Sequence, residues 1–264
     1  LAVVWTLYFV VVAVYGIRIY TRLRPLRSIW YIRWEDVTMT LTLTTQMGLL
    51  IGRVENGLGR QTSYVSPPNR KKAIHFQIIS GVLWVISVGM CKISVAIMLL
   101  RFKQERRWKL FLYSLILVLL AGTIAICFIS LLQCRPLAIM WDPKIVGAKC
   151  WDPKHRQIQV SVASIFVIVT DFILSVLPIT FIRQLHRPLR EKIILCFLMG
   201  LGLVASGAGI AKTVLLKKYR NKPDLLWVTM DFVILSFLEQ QLGIIAGSLP
   251  CLKAAFERTL TRFG

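Results

Sequence analysis

Seven apolar runs, separated by short polar links, account for most of the 264 residues of the chain. Each run is long enough to cross a bilayer as a helix, because about 20 residues at 1.5 Å per residue match the thickness of the hydrocarbon core. The pattern predicts an all-α membrane protein, a bundle of seven transmembrane helices that forms a single domain over residues 1–264. We expect helices near residues 1–20, 36–54, 73–100, 110–132, 158–182, 193–216 and 226–249, and a short interfacial tail at residues 251–264.

The charged residues lie mainly in the links, which we number one to six in chain order. The net charge is +21, from 33 Lys and Arg against 12 Asp and Glu, and so basic a chain raises nucleic acid as a partner. The basic residues flank apolar runs, however, which fits phospholipid headgroups, and no zinc-finger, RNP or basic-helix signature is present. We therefore expect the lipid bilayer as a partner and no nucleic acid.

Link four is the longest link and carries two of the six cysteines, Cys134 and Cys150, among aromatic and proline residues. This arrangement favours a disulfide on a lumenal or extracellular face, and two free thiols at an interface are the alternative. Basic residues are almost equally divided between the two membrane faces, so they do not fix the orientation. A disulfide would place links two, four and six in the lumen of the endoplasmic reticulum or outside the plasma membrane.

Ionisable side chains interrupt four of the apolar runs, where an unpaired charge costs several kcal/mol. In chain order they are Lys92, Asp171, Lys212, Asp231 and Glu239, and Gln240 and Gln241 follow the last of them. One interpretation is a clamp between helices that only fixes their packing. The other is a polar cavity that binds or protonates an apolar molecule, and more deep acids than deep bases favour this second interpretation.

Depth along the helices divides these residues into two groups. Counted from the face of links two, four and six, Asp171 and Glu239 lie at roughly 20 Å and Lys92 at roughly 28 Å. On the same count, Lys212 and Asp231 lie within about 8 Å of that face. We therefore predict a deep set of Lys92, Asp171 and Glu239, and an outer pair of Lys212 with Asp231. Because one lysine cannot neutralise two acids in a low dielectric, we expect Glu239 to be protonated.

The cavity interpretation assigns roles to particular side chains. Asp171, Glu239 and Lys92 are the catalytic candidates, because they could transfer protons or hydrogen-bond a carbonyl oxygen. The substrate-binding candidates are polar or aromatic side chains of the same runs: Gln46, Trp84, Lys212, Asp231, Gln240 and Gln241. The three histidines are scattered, and neither a Cys/His cluster nor a nucleotide-binding loop occurs, so we expect no metal and no cofactor.

A set of short motifs, ordered along nearly the whole chain, resembles the fungal rhodopsin-domain family of seven-helix integral membrane proteins, which includes the satratoxin-cluster membrane protein and receptor-like relatives. The motifs are Glu35-Asp36, Gly57-Leu58-Gly59-Arg60, Lys92-Ile93-Ser94, Leu100-Arg101-Phe102, Gln133-Cys134-Arg135-Pro136, Trp141-Asp142, Gly147, Cys150, Thr170-Asp171, Leu177-Pro178, Glu239, Gly243-Ile244 and Leu249-Pro250. The chain departs from the family pattern at Gln61, Lys212 and Gln241, where His, Arg and Asn are frequent.

The resemblance implies a place in fungal secondary metabolism, since many members of the family belong to such pathways. We expect a cofactor-free cyclase, pericyclase or isomerase that acts on an apolar polyketide or terpenoid intermediate. The alternative is a receptor-like sensor of a small hydrophobic ligand; a transporter is less favoured because no inverted repeat is evident. We expect no retinal, because the run at residues 226–249 lacks the lysine that a Schiff base needs.

Overall fold

The computed structural model describes residues 2–23, 34–100, 105–142, 149–184, 189–218 and 225–263. Within these ranges the chain is almost entirely helical, as predicted. The helices are α1 (Ala2–Leu23), α2 (Trp34–Glu55), α3 (Pro67–Leu100), α4 (Arg106–Leu131), α5 (Pro153–Gln184), α6 (Leu189–Lys218) and α7 (Leu225–Phe263). Two short 3-10 helices, at Thr62–Tyr64 and Leu137–Met140, and two strands, β1 (Cys134–Arg135) and β2 (Lys149–Cys150), lie in links two and four.

Four of the helices are long and apolar enough to cross a membrane. These segments are Pro67–Ile97, Arg106–Leu131, Lys154–Leu177 and Thr229–Ser248, in α3, α4, α5 and α7, and shorter apolar segments occupy Val4–Tyr20 and Met199–Leu215. Only 11% of the apolar window of α4 is buried, against 44% for α3. A fully apolar helix with so much exposed surface is suited to lipid, whereas α3 is suited to the interior of a bundle.

Several helices extend beyond their predicted ends. Helix α3 begins at Pro67 rather than near residue 73, because proline is favoured in the first turn, where its missing N–H costs nothing. Helix α7 continues through Pro250 to Phe263 as one element, whereas we expected a break near residue 249. A proline can bend a helix without ending it, so the sequence signal at Pro250 is ambiguous. An interfacial position for the tail stays a prediction.

Helix α3 is central to the packing and contacts α2, α4, α5 and α7, while α6 packs between α5 and α7 and α1 packs against α7. Three apolar clusters stabilise this arrangement. One joins α3, α4 and α5 around Ala96, Leu99, Leu112, Leu119 and Leu174. The other two join α1, α2 and α7 at different levels, around Val4, Leu50, Val233 and Phe237 and around Val11, Met39 and Ile244. Polar side chains are gathered between these clusters.

The predicted disulfide between Cys134 and Cys150 is confirmed. The two residues face each other across the antiparallel pair β1–β2. Two residues of link four also contact the start of α3: Asp142 forms an ion pair of 2.7 Å with Lys71, and the rings of Trp141 and His75 lie 4.5 Å apart. Link four therefore covers the end of α3 that follows link two.

Link two closes the neighbouring end of the bundle with a tight turn. Gly57 and Gly59 have φ angles of 101° and 86°, in the left-handed region that favours glycine. A Cβ atom on Gly57 would also lie 2.7 Å from the side chain of Val65. The turn carries Leu58, only 5% exposed, into the cluster that contains Val233 and Phe237 of α7. This end of the bundle, between α2 and α7, is consequently filled by the link itself.

Candidate functional site

The first of two buried ion pairs joins α3 to α5. The Nζ atom of Lys92 lies 3.1 Å from Oδ2 of Asp171. The same ammonium group donates hydrogen bonds to the carbonyl oxygen of Val167, at 2.8 Å, and to Oγ1 of Thr170, at 2.9 Å. The ion pair and the two hydrogen bonds hold Lys92 firmly against α5, although Oδ2 of Asp171 has no hydrogen-bond partner among the described residues. The predicted proximity of Lys92 and Asp171 agrees with the structure.

The second ion pair joins α6 to α7 and was not expected. The Nζ atom of Lys212 donates to Oε2 of Glu239 at 2.7 Å and lies 3.9 Å from the centroid of the Trp84 ring. The predicted pairing of Lys212 with Asp231 is therefore wrong, and Asp231 is exposed. Counting depth along the helix treats each side chain as a point at its Cα, whereas the long stem of lysine can carry its charge well along the bundle.

The two pairs together balance their charges. Lys92 and Lys212 face Asp171 and Glu239, and the side chains of Lys212 and Glu239 are only 5% and 2% exposed. We expected one lysine to face two acids, but the structure shows two lysines facing two acids. Glu239 therefore does not need a proton for the charges to balance. Balanced charges alone are compatible with a clamp that only fixes the packing of the helices. A ligand site requires, in addition, a cavity and unsatisfied polar atoms beside the ion pairs.

A partly open cavity of about 60 Å³ lies between α3, α5, α6 and α7, beside both ion pairs. Its polar lining comes mainly from Lys92, Asp171, Glu239 and Gln240, and apolar side chains and Gly202 supply most of the remainder. Within the described part of the chain, Oε1 of Glu239 and Oε1 of Gln240 are buried and have no hydrogen-bond partner. Buried acceptors without partners are rare and destabilising, so they indicate a place for a donor that the chain does not supply.

The remaining candidates occupy different surroundings. The amide of Gln240 donates to Oγ of Ser87 at 3.0 Å, and this hydroxyl lies 3.3 Å from Oγ1 of Thr42, which links α7 through α3 to α2. Gln46 exchanges two hydrogen bonds with Ser80, which lies on α3. Gln241 is 2% exposed and does not line the cavity. The structure thus brings Gln240 to the two ion pairs and places Gln46 and Gln241 elsewhere.

Two contacts hold the indole ring of Trp84 in place. Its face carries the ammonium group of Lys212, and its Nε1 donates to the carbonyl oxygen of Ser236 at 2.9 Å. Trp84 also lines a second cavity, of about 40 Å³, together with Gln46 and Arg53 of α2. It is not among the residues that line the cavity beside the two ion pairs, which we call the acid-lysine cavity.

Two buried arginines were missed by the sequence reasoning. Arg18 is fully buried and donates to the carbonyl oxygen of Gly247 at 2.7 Å. Arg53 is 1% exposed and lines the second cavity. Both lie near the ends of predicted helices, where arginine usually extends towards the headgroups. A signal was nevertheless present, because each arginine lies inside an apolar run rather than in a link.

Comparisons with known proteins place the chain among membrane proteins of fungi. The model of the fungal rhodopsin domain matches residues 17–258. The chain is 26% identical over 226 residues to an SAT4 family membrane protein of Emericella nidulans, a match that covers 84% of this chain and 54% of that protein. No solved structure matches the chain.

Two further relatives carry names from biosynthetic gene clusters. The chain is 28% identical over 128 residues to fugralins biosynthesis cluster protein 2 of Gibberella zeae, covering 48% of this chain and 31% of that protein. It is 23% identical over 257 residues to polyenoic acids biosynthesis gene cluster protein Ba17b of Metarhizium anisopliae, covering 92% and 69%. The matches thus span about half or less of the Emericella and Gibberella proteins, and about two thirds of the Metarhizium protein.

Proposed function

Because the chain belongs to the fungal rhodopsin-domain family and is an all-α membrane protein, we propose that it serves fungal secondary metabolism as a cofactor-independent cyclase, pericyclase or isomerase. Its substrate would be an apolar polyketide or terpenoid intermediate. Two relatives named for biosynthetic clusters support the setting. The observation that carries the proposal is Glu239, a side chain that lines the acid-lysine cavity: one of its carboxylate oxygens is bound to Lys212, and the other is buried without a hydrogen-bond partner among the described residues.

A single carboxylate can carry out such a reaction because the atoms of the substrate are only rearranged. The free oxygen of Glu239 accepts a proton from a carbon or hydroxyl of the substrate, and the resulting acid returns it to another atom of the same molecule. Lys212 is the counter-ion of Glu239, and the Lys92–Asp171 pair also lines the cavity. Exclusion of bulk water strengthens each of these electrostatic contacts.

The cavity is partly open, so the proposed substrate can insert its reacting end alone. Its apolar remainder extends into the bilayer past Leu201 and Gly202 of α6, which line the cavity and are partly exposed. An apolar intermediate that partitions into the membrane reaches the site by this route without crossing water.

The proposal is tested by incubating the purified protein, in lipid nanodiscs, with candidate linear precursors and separating the products by liquid chromatography and mass spectrometry. We expect a product of unchanged mass with a new retention time. Glu239→Gln removes the proton acceptor and lowers kcat by about 100-fold or more. The matched control is Glu55→Gln, an identical change at an exposed position of α2, which leaves kcat unchanged.

Thermal melting of each variant separates loss of the reaction from loss of the fold. If the folded wild-type and Glu239→Gln proteins form product at the same rate, or if neither forms any, the enzyme proposal fails. The receptor alternative is favoured by the chain of contacts from Gln240 through Ser87 to Thr42, because a ligand that displaces Gln240 would alter the packing of α2. A ligand-dependent rise in melting temperature without any product would support that alternative.

The disulfide supports a position for the protein in the membrane. Disulfides persist in oxidising compartments, so we place link four, and with it links two and six, in the lumen of the endoplasmic reticulum or outside the cell. The ion pair of Lys71 with Asp142 supports a common face for links two and four. Metals, retinal and nucleic acid form no part of this proposal.

A further inference from the structure

The second cavity is lined by Arg53, whose guanidinium group has one donor atom that the described part of the chain leaves unsatisfied. Arg53 is 1% exposed; its Nε donates to the carbonyl oxygen of Leu49 at 3.3 Å, and its Nη1 donates to Oε1 of Gln77. Its Nη2 is buried and has no hydrogen-bond partner within the ranges that the structure describes. A guanidinium group retains its charge in almost any surroundings, so the missing contact cannot be avoided by loss of a proton.

No acid compensates Arg53 in the described part of the chain. The acids Asp171 and Glu239 are already paired with lysines. Glu55, which follows Arg53 two residues later on α2, is exposed. Around Arg53, the polar lining of the cavity consists of uncharged groups, from Gln46, Gln77, Ser80 and Ser236. A buried charge without a counter-ion is strongly destabilising, which distinguishes this arginine from the balanced pairs nearby.

We propose that the second cavity binds the carboxylate group of a small apolar acid, with Arg53 as its counter-ion. The Nη2 atom supplies the charge-assisted hydrogen bond, and the amide nitrogen of Gln77, whose carbonyl already accepts from Arg53, offers a neutral donor beside it. Phe232 and Phe237, which also line the cavity, provide contacts for the apolar part of the acid.

The donors of the site match a carboxylate better than a phosphate. The two oxygens of a carboxylate correspond to Nη2 of Arg53 and the amide nitrogen of Gln77, whereas a lipid phosphate carries ester arms as well. The Leu58 turn packs against Val233 and Phe237, two residues that line the cavity. This site and the acid-lysine cavity have no lining residue in common, and the binding proposed here does not require the reaction proposed there.

The experiment measures binding to the full chain in nanodiscs by isothermal titration calorimetry, with empty nanodiscs as the reference. Three ligands share one chain length: hexanoate, hexanol and hexyl phosphate. We expect saturable binding of hexanoate with a Kd at least about tenfold below that of hexanol, the factor expected for a hydrogen bond to a charged group. Hexyl phosphate, which represents the lipid headgroup, binds more weakly than hexanoate.

Variants locate the site. Arg53→Gln raises the Kd for hexanoate about tenfold or more, to the level of hexanol, and Arg53→Lys gives an intermediate value because it retains the charge and loses the fork. Arg156→Gln, the same change at an exposed position of α5, leaves all three constants unchanged. Should Arg53→Gln not fold, wild type and Arg53→Lys still decide between hexanoate and hexanol.

Three results overturn the proposal: equal binding of hexanol and hexanoate by the wild type, wild-type affinity for hexanoate in folded Arg53→Gln, or tighter binding of hexyl phosphate. The last result would assign the site to phospholipid. Because no turnover is measured, a failure here leaves the proposed reaction at Glu239 untouched, and a failure of that reaction leaves the carboxylate site untouched.

Discussion

The contact between Lys212 and Glu239 shows how strongly a single buried side chain depends on its partner. Both side chains are at most 5% exposed, and the ammonium group is further held over Trp84. Removing one member leaves an uncompensated buried charge, whereas replacing both by apolar groups removes the problem as well as the attraction. The loss of stability in a variant that lacks both side chains should therefore differ from the sum of the losses in the two single variants.

Lys212→Met and Glu239→Leu each lower the free energy of unfolding by about 3–5 kcal/mol, and the double variant loses much less than the sum. Reversible unfolding of the micelle-bound protein by added denaturing detergent measures all four proteins of this cycle. The control is Lys71→Met in the partly exposed pair with Asp142, which costs at most about 1 kcal/mol. Simple additivity of the two buried substitutions would contradict the ion pair.

At the scale of single elements, the packing of α6 depends on which of its glycines contact a neighbouring helix. A Cβ atom on Gly202 would lie 1.9 Å from Oγ of Ser175 on α5, so these helices approach closely only because residue 202 lacks a side chain. The sequence shows only that glycines are frequent in α6, and it does not distinguish Gly202 from Gly200 and Gly207, where an added Cβ atom would meet nothing within 4 Å. The same close approach brings Gly202 into the wall of the acid-lysine cavity.

Gly202→Ala should destabilise the protein by about 1–3 kcal/mol, because the added methyl group overpacks the contact of α5 with α6. Gly200→Ala on the same helix should be neutral or stabilising by up to about 1 kcal/mol, since alanine favours a helix over glycine. Unfolding of both variants in the same detergent measures the difference. Equal stability of the two variants would mean that the helices do not approach at Gly202.

Across the whole molecule, link four connects the ends of α4 and α5 and contacts α3 through Lys71 and His75. The disulfide closes a loop of sequence separation 16, and the paired strands hold it in place. The link therefore stabilises the relative positions of three helices at one end of the bundle, and a change in it acts on all of them together.

Cys134→Ser should lower the free energy of unfolding by about 3 kcal/mol, as expected for a loop of this length, and a reducing agent should do the same to the wild type. Cys127→Ser, at a free and partly exposed cysteine, is the control and should change little. Alkylation of freshly solubilised protein also tests the proposed lumenal or extracellular face: Cys134 and Cys150 should be protected from alkylation until reduction. Reactive thiols at both positions would argue for a reducing compartment.

The helices of this protein can be predicted from the length of its apolar runs, whereas the contacts between side chains of different helices cannot. Apolar length predicted the seven segments, and the aromatic surroundings of Cys134 and Cys150 predicted their disulfide. The partner of Glu239 could not be predicted, because helix rotation and the reach of the Lys212 stem decide it. Arg53 escaped notice for a similar reason: a residue near a helix end can face either headgroups or the interior, and only packing chooses between them.

The charge balance of the two buried pairs has one further consequence, for electrical work. An elementary charge that moves across a potential of 100 mV exchanges about 2.3 kcal/mol with the field. Each lysine and its acid sum to zero whether the proton resides on nitrogen or oxygen, so the field exerts no net force on the set formed by Lys92, Asp171, Lys212 and Glu239. A shift of these four side chains together along the membrane normal would therefore exchange no net electrical work with the field.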